Sequence, residues 1–131
     1  MLINKDLLDK VSSAAKGNER LRMNYNFHDS LDAPSQRLLN ALEPGTKIPI
    51  HRHKTSSETY IILRGKIQLS FYDNDGQIIE SVILCSDTEN VGYNIPKGTW
   101  HALEVLLPNT IIFEVKDGPY QPLKGDDILK V

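Results

Sequence analysis

Residues 45–65 read GTKIPIHRHKTSSETYIILRG, and this stretch decides the fold. His51 and His53 are two positions apart, so in a strand both imidazoles project from the same face. Glu58 starts the next predicted strand, after a short loop that can fold it back beside them. His101 lies on a later predicted strand. If the sheet curls into a barrel, these four side chains can converge inside it.

The sequence around this stretch predicts one short helix followed by strands. Residues 4–16 have a helical apolar period, with Asn4 as a plausible N-cap and Gly17 as a stop. After Gly17 the period changes to two. Short strands at even spacing, with no helices between them, predict an all-β sandwich or barrel. The predicted strands are 21–27, 36–43, 59–63, 66–72, 77–85, 92–95, 100–107 and 110–116.

Length and composition favour a soluble protein with a core of its own. The chain has 131 residues, 40% of them hydrophobic and 24% charged. We expect one domain over residues 1–131, with a helix at about 4–16, a barrel at about 19–117 and a loosely packed C-terminal tail at 118–131. A lone cysteine, Cys85, excludes an intramolecular disulfide and suits a reducing compartment.

Charge and hydropathy exclude two classes of partner. The net charge is −2 and the basic residues are spread along the chain, which argues against nucleic acid as a partner. A small anionic ligand stays compatible with this balance. No apolar run approaches the ~18–20 residues that cross a bilayer, and no signal-peptide pattern stands at the start. We therefore expect a cytoplasmic protein without membrane contact.

The central stretch resembles the cupin family. It matches the first cupin motif, G-x5-H-x-H-x4-E-x6-G, at every defined position, and Pro96-x-Gly98-x2-His101 matches the middle of the second motif. The second motif is partial, since Asn90 and Val105 stand where the family has Gly and Asn. The resemblance implies a double-stranded β-helix, or jelly-roll barrel, and a homodimer, because cupins commonly pair through their sheets.

More narrowly, the chain is similar to the WbuC-type cupin metalloproteins found among O-antigen and surface-polysaccharide genes. That similarity implies a metal-binding cupin near sugar or polysaccharide metabolism, and it implies no particular reaction. It covers most of the chain. The residues that carry it, besides the metal motif, are Asn26-Phe-His28, Gln36-Arg37-Leu-Leu, Pro96-x-Gly98-x-Trp100-His101 and Phe113-Glu114-Val-Lys116-x-Gly118-Pro119-Tyr120.

The four converging residues predict a site for one divalent metal. Imidazole and carboxylate together suit Zn, Fe, Ni, Cu or Mn, and we expect Zn, Fe, Ni or Mn on His51, His53, Glu58 and His101. Four protein ligands can leave a position open for substrate. The metal would then polarise a hydroxyl or carbonyl oxygen as in sugar isomerisation or epimerisation, or use oxygen as Fe(II) does. The sequence does not choose between these reactions.

Further candidates are residues on the same strand faces as the metal motif and residues that carry the WbuC resemblance. Glu114 and Lys116 share a strand face, where opposite charges usually form a modest surface pair. Arg20 and Arg22 are expected to be solvated, and Trp100 is most simply a packing residue. The catalytic candidates are His28, Tyr60 and Lys116. The candidates for substrate binding are Arg37, Asn26, Trp100, Glu114 and Tyr120.

Two function classes follow. The first is a metalloenzyme acting on a small polar metabolite such as a sugar or sugar-nucleotide. The second is a non-catalytic cupin module that binds a sugar or another small molecule and signals through its dimer or a partner. An enzyme needs an acid or base within reach of the metal-bound substrate. A purely structural metal, a third possibility, predicts a closed site and loss of folding on chelation.

Overall fold

One helix and eight strands build the protein, as a computed structural model of residues 1–130 shows. Helix α1 spans Lys5–Lys16. The strands are β1 Arg22–Asn26, β2 Ser35–Leu42, β3 Glu58–Arg64, β4 Lys66–Tyr72, β5 Ile78–Cys85, β6 Gly92–Ile95, β7 Trp100–Val105 and β8 Thr110–Asp117. A short 3-10 turn follows at Gly125–Asp127. The prediction of an all-β fold with one short N-terminal helix is confirmed.

Two antiparallel sheets enclose the main core. The larger sheet has the order β1-β2-β8-β3-β6 and the smaller one the order β5-β4-β7. Apolar side chains from both sheets meet between them, because alternate residues of each strand point inward. The buried residues of this core are Leu42, Tyr60, Ile62, Ile67, Leu69, Phe71, Leu84, Ile95, Val105 and Ile112.

Helix α1 covers the outer face of the larger sheet. The Asn4 side chain accepts a hydrogen bond from the Leu7 backbone N–H at 3.1 Å, which confirms it as the N-cap. Val11 and Ala15 then pack on the outer face of the sheet, against a buried group formed by Leu39, Ala41 and Ile111. With this face sealed by the helix, the alternate residues of β1, β2 and β8 face the interior of the barrel. Within residues 1–130, no helix is both long and apolar enough to cross a membrane.

The segment between β2 and β3 differs from the prediction. We expected His51 and His53 to lie in a strand, but this is wrong. His51 forms only isolated bridges, to His101 and to Ile128, and His53 forms none. Pro49 lacks the backbone N–H that a ladder needs, so the segment cannot pair continuously.

The C-terminal segment is more firmly attached than we expected. The Arg52 backbone N–H donates to the Asp127 carbonyl at 3.0 Å, and the Leu129 N–H donates to the Ile50 carbonyl at 2.8 Å. The expectation of a loosely packed tail is therefore wrong for these residues. They hold the histidine-bearing segment from the side opposite to His101.

Candidate metal centre

The four predicted ligands come together from three parts of the fold. Glu58 begins β3 in the larger sheet, and His101 lies in β7 of the smaller sheet. His51 and His53 come from the segment between β2 and β3. One ligand atom from each residue lies within 4.8 Å of the other three. The group can hold a metal ion, as the spacing of the sequence motif indicated.

Backbone carbonyls orient two of the imidazoles. Nδ1 of His51 lies 2.9 Å from the Pro49 carbonyl oxygen, and Nδ1 of His101 lies 2.9 Å from the Thr99 carbonyl oxygen. Because a carbonyl only accepts, Nδ1 carries the hydrogen in both rings and Nε2 is left with its lone pair. Outer hydrogen bonds of this kind are what metal-binding histidines use to fix their orientation.

The ligand atoms suit a cation better than they suit each other. His101 Nε2 lies 2.9 Å from Glu58 Oε1, and His53 Nε2 lies 3.3 Å from the same oxygen. Both His101 Nε2 and Glu58 Oε1 are buried without a hydrogen-bond partner. A lone pair on nitrogen facing a carboxylate oxygen leaves two acceptors in contact, and a divalent cation between them would satisfy both. The residues present therefore fit a metal ion.

The charge states agree with this fit. Burial, and then the neighbouring His101, lower the pKa of His51 from 6.5 to about 4, so its ring is neutral at pH 7. Burial alone would raise the pKa of Glu58, but hydrogen bonds that His101 and His53 donate when their rings are protonated outweigh it, and the pKa lies below its ordinary value. A bound metal would take the place of those protons. Neutral imidazole and ionised carboxylate are the ligand forms that metals bind.

A cavity of about 150 Å³ lies against the four ligands. The structure places three predicted site residues in its wall, namely Tyr60, Glu114 and Lys116. The strand register explains this, since Glu58 is opposite Lys116 and Tyr60 is opposite Glu114 in the β3–β8 pair. Directly opposed residues share a face of the sheet. The rest of the wall is formed by Arg22, Asn40, Ile48 and Leu103.

Glu114 is not the surface ion-pair partner that we expected. It accepts a hydrogen bond from Asn40 Nδ2 at 2.8 Å and is not within 4.0 Å of the Lys116 ammonium. Burial, and then the charge of Glu58, raise the pKa of Glu114 to about 7. Burial together with both of these carboxylates also raises the pKa of Tyr60 well above its ordinary value, so the phenol stays protonated.

A second cavity of about 360 Å³ adjoins the first, because Asn40, Glu114 and Lys116 line both. Three further predicted residues line it. His28 is buried, and its Nδ1 accepts a hydrogen bond from the Arg37 backbone N–H at 3.0 Å. The other two are Asn26 and Tyr120.

Two predicted substrate-binding residues lie elsewhere. The Arg37 side chain is exposed on β2, with the opposite parity to Gln36 and Leu38, which line the second cavity. Trp100 is buried, its Nε1 donates to Asn74 Oδ1 at 2.9 Å, and the Arg52 guanidinium carbon lies 4.2 Å from the ring centroid. Neither residue lines the two cavities, and the contacts of Trp100 are those of a packing residue.

Two residues of the first cavity, Asn40 and Arg22, were not among the predicted site residues. We expected Arg22 to be a solvated residue, but it is half-buried in the wall of the first cavity together with Asn40. The alternation of side chains along each strand could have identified both residues. Asn40 shares a face with Leu38 on β2, and Arg22 shares one with Asn24 and Asn26 on β1, opposite the apolar face.

A family model described as a domain of unknown function, DUF6016, matches residues 3–84. The chain belongs to this family. The match includes His51, His53 and Glu58, whereas His101 lies beyond it. No protein of curated function matches the chain.

Solved structures show that this DUF6016 chain has the cupin fold. The cupin domain of Cnp3 from Schizosaccharomyces pombe is 11% identical, with 73% of this chain and 60% of that one covered and a TM-score of 0.59. KdgF from Halomonas sp. is 14% identical, with 76% and 82% covered and a TM-score of 0.59. CapF, a capsular polysaccharide assembling protein from Staphylococcus aureus, is 20% identical, with 77% and 30% covered and a TM-score of 0.61. The chain thus spans three fifths of the Cnp3 chain and less than a third of CapF.

Proposed function

We propose that this protein is a metalloenzyme that binds one divalent ion, Zn, Fe, Ni or Mn, and acts on a sugar or sugar-nucleotide. One observation carries the proposal. Three imidazole nitrogens and a carboxylate converge beside a cavity whose other polar groups are not among the ligands. When bound, the metal would polarise a substrate oxygen or, if it is iron, support oxygen chemistry.

The residues around the metal position have the properties that proton transfer needs. Glu114 is a buried carboxyl group in the wall of the cavity beside the ligands, where burial raises its pKa, so it can exchange a proton with a bound substrate. Tyr60 stays protonated and is a hydrogen-bond donor for a substrate oxygen. Ile48 and Leu103 contribute apolar wall that limits the access of water. An acid–base group beside the ligands favours an enzyme.

A non-catalytic binding module is the second candidate. It is favoured by the number of hydrogen-bond donors in the same wall, from Arg22, Asn40 and Lys116. Such a module would need none of the acid–base character of Glu114. Binding that is unchanged in Glu114→Gln, with no reaction product from any bound sugar, would favour it over the enzyme.

The cellular context belongs to the same proposal. We place the protein among the WbuC-type cupins, in the cytoplasm and in O-antigen or surface-polysaccharide metabolism. The sequence motifs support this, as does a structural likeness to a protein named for capsular polysaccharide assembly. We further propose one cupin domain over residues 1–131, paired as a homodimer through β5, where Ile78, Ile79 and Ile83 are exposed.

Elemental analysis of the purified protein tests the metal. We expect about one divalent ion per chain in the wild type, and at least a tenfold weaker retention in His53→Ala, because removal of a ligand opens the site. His28→Ala is the matched control, since His28 is the histidine outside the group, and it should keep its metal. A circular dichroism melt shows that each variant is folded. A wild type that holds no metal after reconstitution with Zn, Fe(II), Ni or Mn contradicts the proposal.

A further inference from the structure

Three basic side chains without an acidic partner line a cavity beside the metal group. Arg20, Arg22 and Lys116 are the basic residues of this cavity, which has a volume of about 420 Å³ and is called the anion cavity below. Within residues 1–130, none of the three lies within 4.0 Å of a carboxylate.

Two basic residues of the histidine-bearing segment, Arg52 and Lys54, have partners within the chain. Lys54 forms ion pairs with Asp126 and with Asp127, the latter at 3.2 Å. The Arg52 guanidinium donates to the Asp126 carbonyl oxygen at 3.0 Å. Lys54 is thus already paired within the chain, whereas within residues 1–130 no carboxylate lies within 4.0 Å of the basic residues of the anion cavity.

Two of the three basic side chains, Arg20 and Arg22, repel each other. Arg20 and Arg22 stand two positions apart, and burial together with repulsion from Arg20 lowers the pKa of Arg22. Arg20 is exposed and Arg22 is half-buried, and a bound anion between them would relieve the repulsion of their charges.

Neutral groups complete the cavity as a binding surface. The side-chain amides of Asn24, Asn40 and Gln121 line it and can donate hydrogen bonds to anionic or hydroxyl oxygens. The Lys116 ammonium lies 5.7 Å from the centroid of the Tyr120 ring, a cation–π contact that holds it at the wall. The volume falls within the range of small-molecule sites, about 300–1,000 Å³.

The anion cavity opens towards the metal position. Four residues line both this cavity and the cavity at the ligands: Arg22, Asn40, His53 and Lys116. One small molecule can therefore contact the basic side chains and the metal group together. Two guanidinium groups and an ammonium match the charge and the several oxygens of a phosphate better than a single carboxylate.

We propose that Arg20, Arg22 and Lys116 bind the phosphate of a phosphorylated sugar, and that the sugar then extends towards the metal position. This inference rests on the proposed function for the role of the metal, but the phosphate site stands on the basic residues alone. Phosphate and carboxylate share the oxyanion chemistry, so the test includes a sugar of each kind.

Isothermal titration calorimetry on the full chain provides the test, with D-glucose 1-phosphate, D-glucuronate and D-glucose as probes. We expect the phosphate to bind at least tenfold more tightly than the glucuronate, and the neutral sugar to bind least. Arg22→Gln and Lys116→Gln should each weaken glucose 1-phosphate binding about tenfold, a loss typical of one charge-assisted hydrogen bond. Arg37→Gln removes the same charge from the exposed face of the same sheet and should leave binding unchanged.

Arg20→Gln guards against a folding artefact, because Arg20 is exposed and its replacement should weaken binding without lowering the melting temperature. Equal binding by the wild type and the three cavity variants overturns the inference, and tighter binding of glucuronate overturns the choice of phosphate. The titrations are repeated after chelation. A metal-free wild type that still binds the phosphate through Arg22 supports the inference while contradicting the proposed function. A metal-loaded wild type that does not bind the phosphate contradicts the inference while leaving the proposed function supported.

Discussion

At the scale of single residues, the metal group depends on which ring nitrogen of each histidine carries the hydrogen, and the sequence does not reveal this. The motif spacing predicts the four ligand residues, because side-chain identity carries that information. It cannot predict the carbonyls of Pro49 and Thr99 that fix the imidazole tautomers, since every residue has a carbonyl. The backbone carbonyl two residues before each of His51 and His101 orients its imidazole ring, and only the folded structure reveals this contact.

Gly65, the last glycine of the metal motif, gives a residue-scale prediction. Its φ is +80°, and an added methyl group would lie 2.7 Å from Thr110 Cα and collide with the Thr110 hydroxyl. Gly65→Ala should therefore lose about 3 kcal/mol or more of unfolding free energy, from the left-handed backbone and from overpacking together. Urea denaturation followed by circular dichroism measures it.

Gly98→Ala is the matched control for this prediction. Gly98 has nearly the same φ, +79°, but an added methyl group there meets nothing within 4 Å. It should lose only about 1 kcal/mol, the cost of the backbone conformation. Equal losses in the two variants would show that the contact with Thr110 is unimportant.

At the scale of elements, the sequence predicts which residues share a face but not what covers that face. The strand predictions for β4 and β6 agree with the structure in their bounds. The polar face of β1 looked solvated, because alternation alone does not distinguish solvent from a polar cavity. Helix α1 occupies the apolar face, so Arg22 and Asn24 line a cavity on the other face, and the packing that decides this is long-range in sequence.

Strand β5 gives an element-scale prediction about pairing between copies. Within the described residues it is an edge strand, and Ile78 and Ile79 are 60% and 66% exposed. An exposed apolar edge favours association. We expect the wild type to be a dimer in analytical ultracentrifugation and Ile79→Lys to be a monomer.

Leu107→Lys is the control for β5, since Leu107 is exposed but lies outside the strands, and it should stay dimeric. A monomeric wild type, or a dimeric Ile79→Lys, rules out pairing through β5.

At the scale of the whole molecule, the metal group joins parts of the fold that are separate elsewhere. Glu58 belongs to the larger sheet, His101 to the smaller one, and His51 to a segment that also pairs with Ile128. The main core lies beside this junction and consists of aliphatic and aromatic side chains. We therefore expect the metal to strengthen the fold without being required for it.

Chelation tests this expectation. Removing a tightly bound ion present at about 1,000 times its Kd costs about 4 kcal/mol, which lowers Tm by roughly 15 °C for a domain of this size. The chelated protein should stay folded by circular dichroism, and His53→Ala should not respond to the chelator. Complete unfolding on chelation would instead indicate a purely structural metal. If chelation of a metal-loaded wild type leaves Tm unchanged, the metal does not stabilise the junction of the two sheets.

The larger sheet divides its residues into two sets that can change independently during evolution. Along β1, β2 and β8, one parity packs beneath helix α1, as Tyr25, Leu39 and Phe113 do, and the other parity lines the cavities, as Asn24, Asn40 and Lys116 do. Substitutions of the second set alter what the barrel recognises while the buried layer keeps it folded. A lineage of such proteins could acquire new ligands by neutral drift along alternate positions, and a designer could follow the same route.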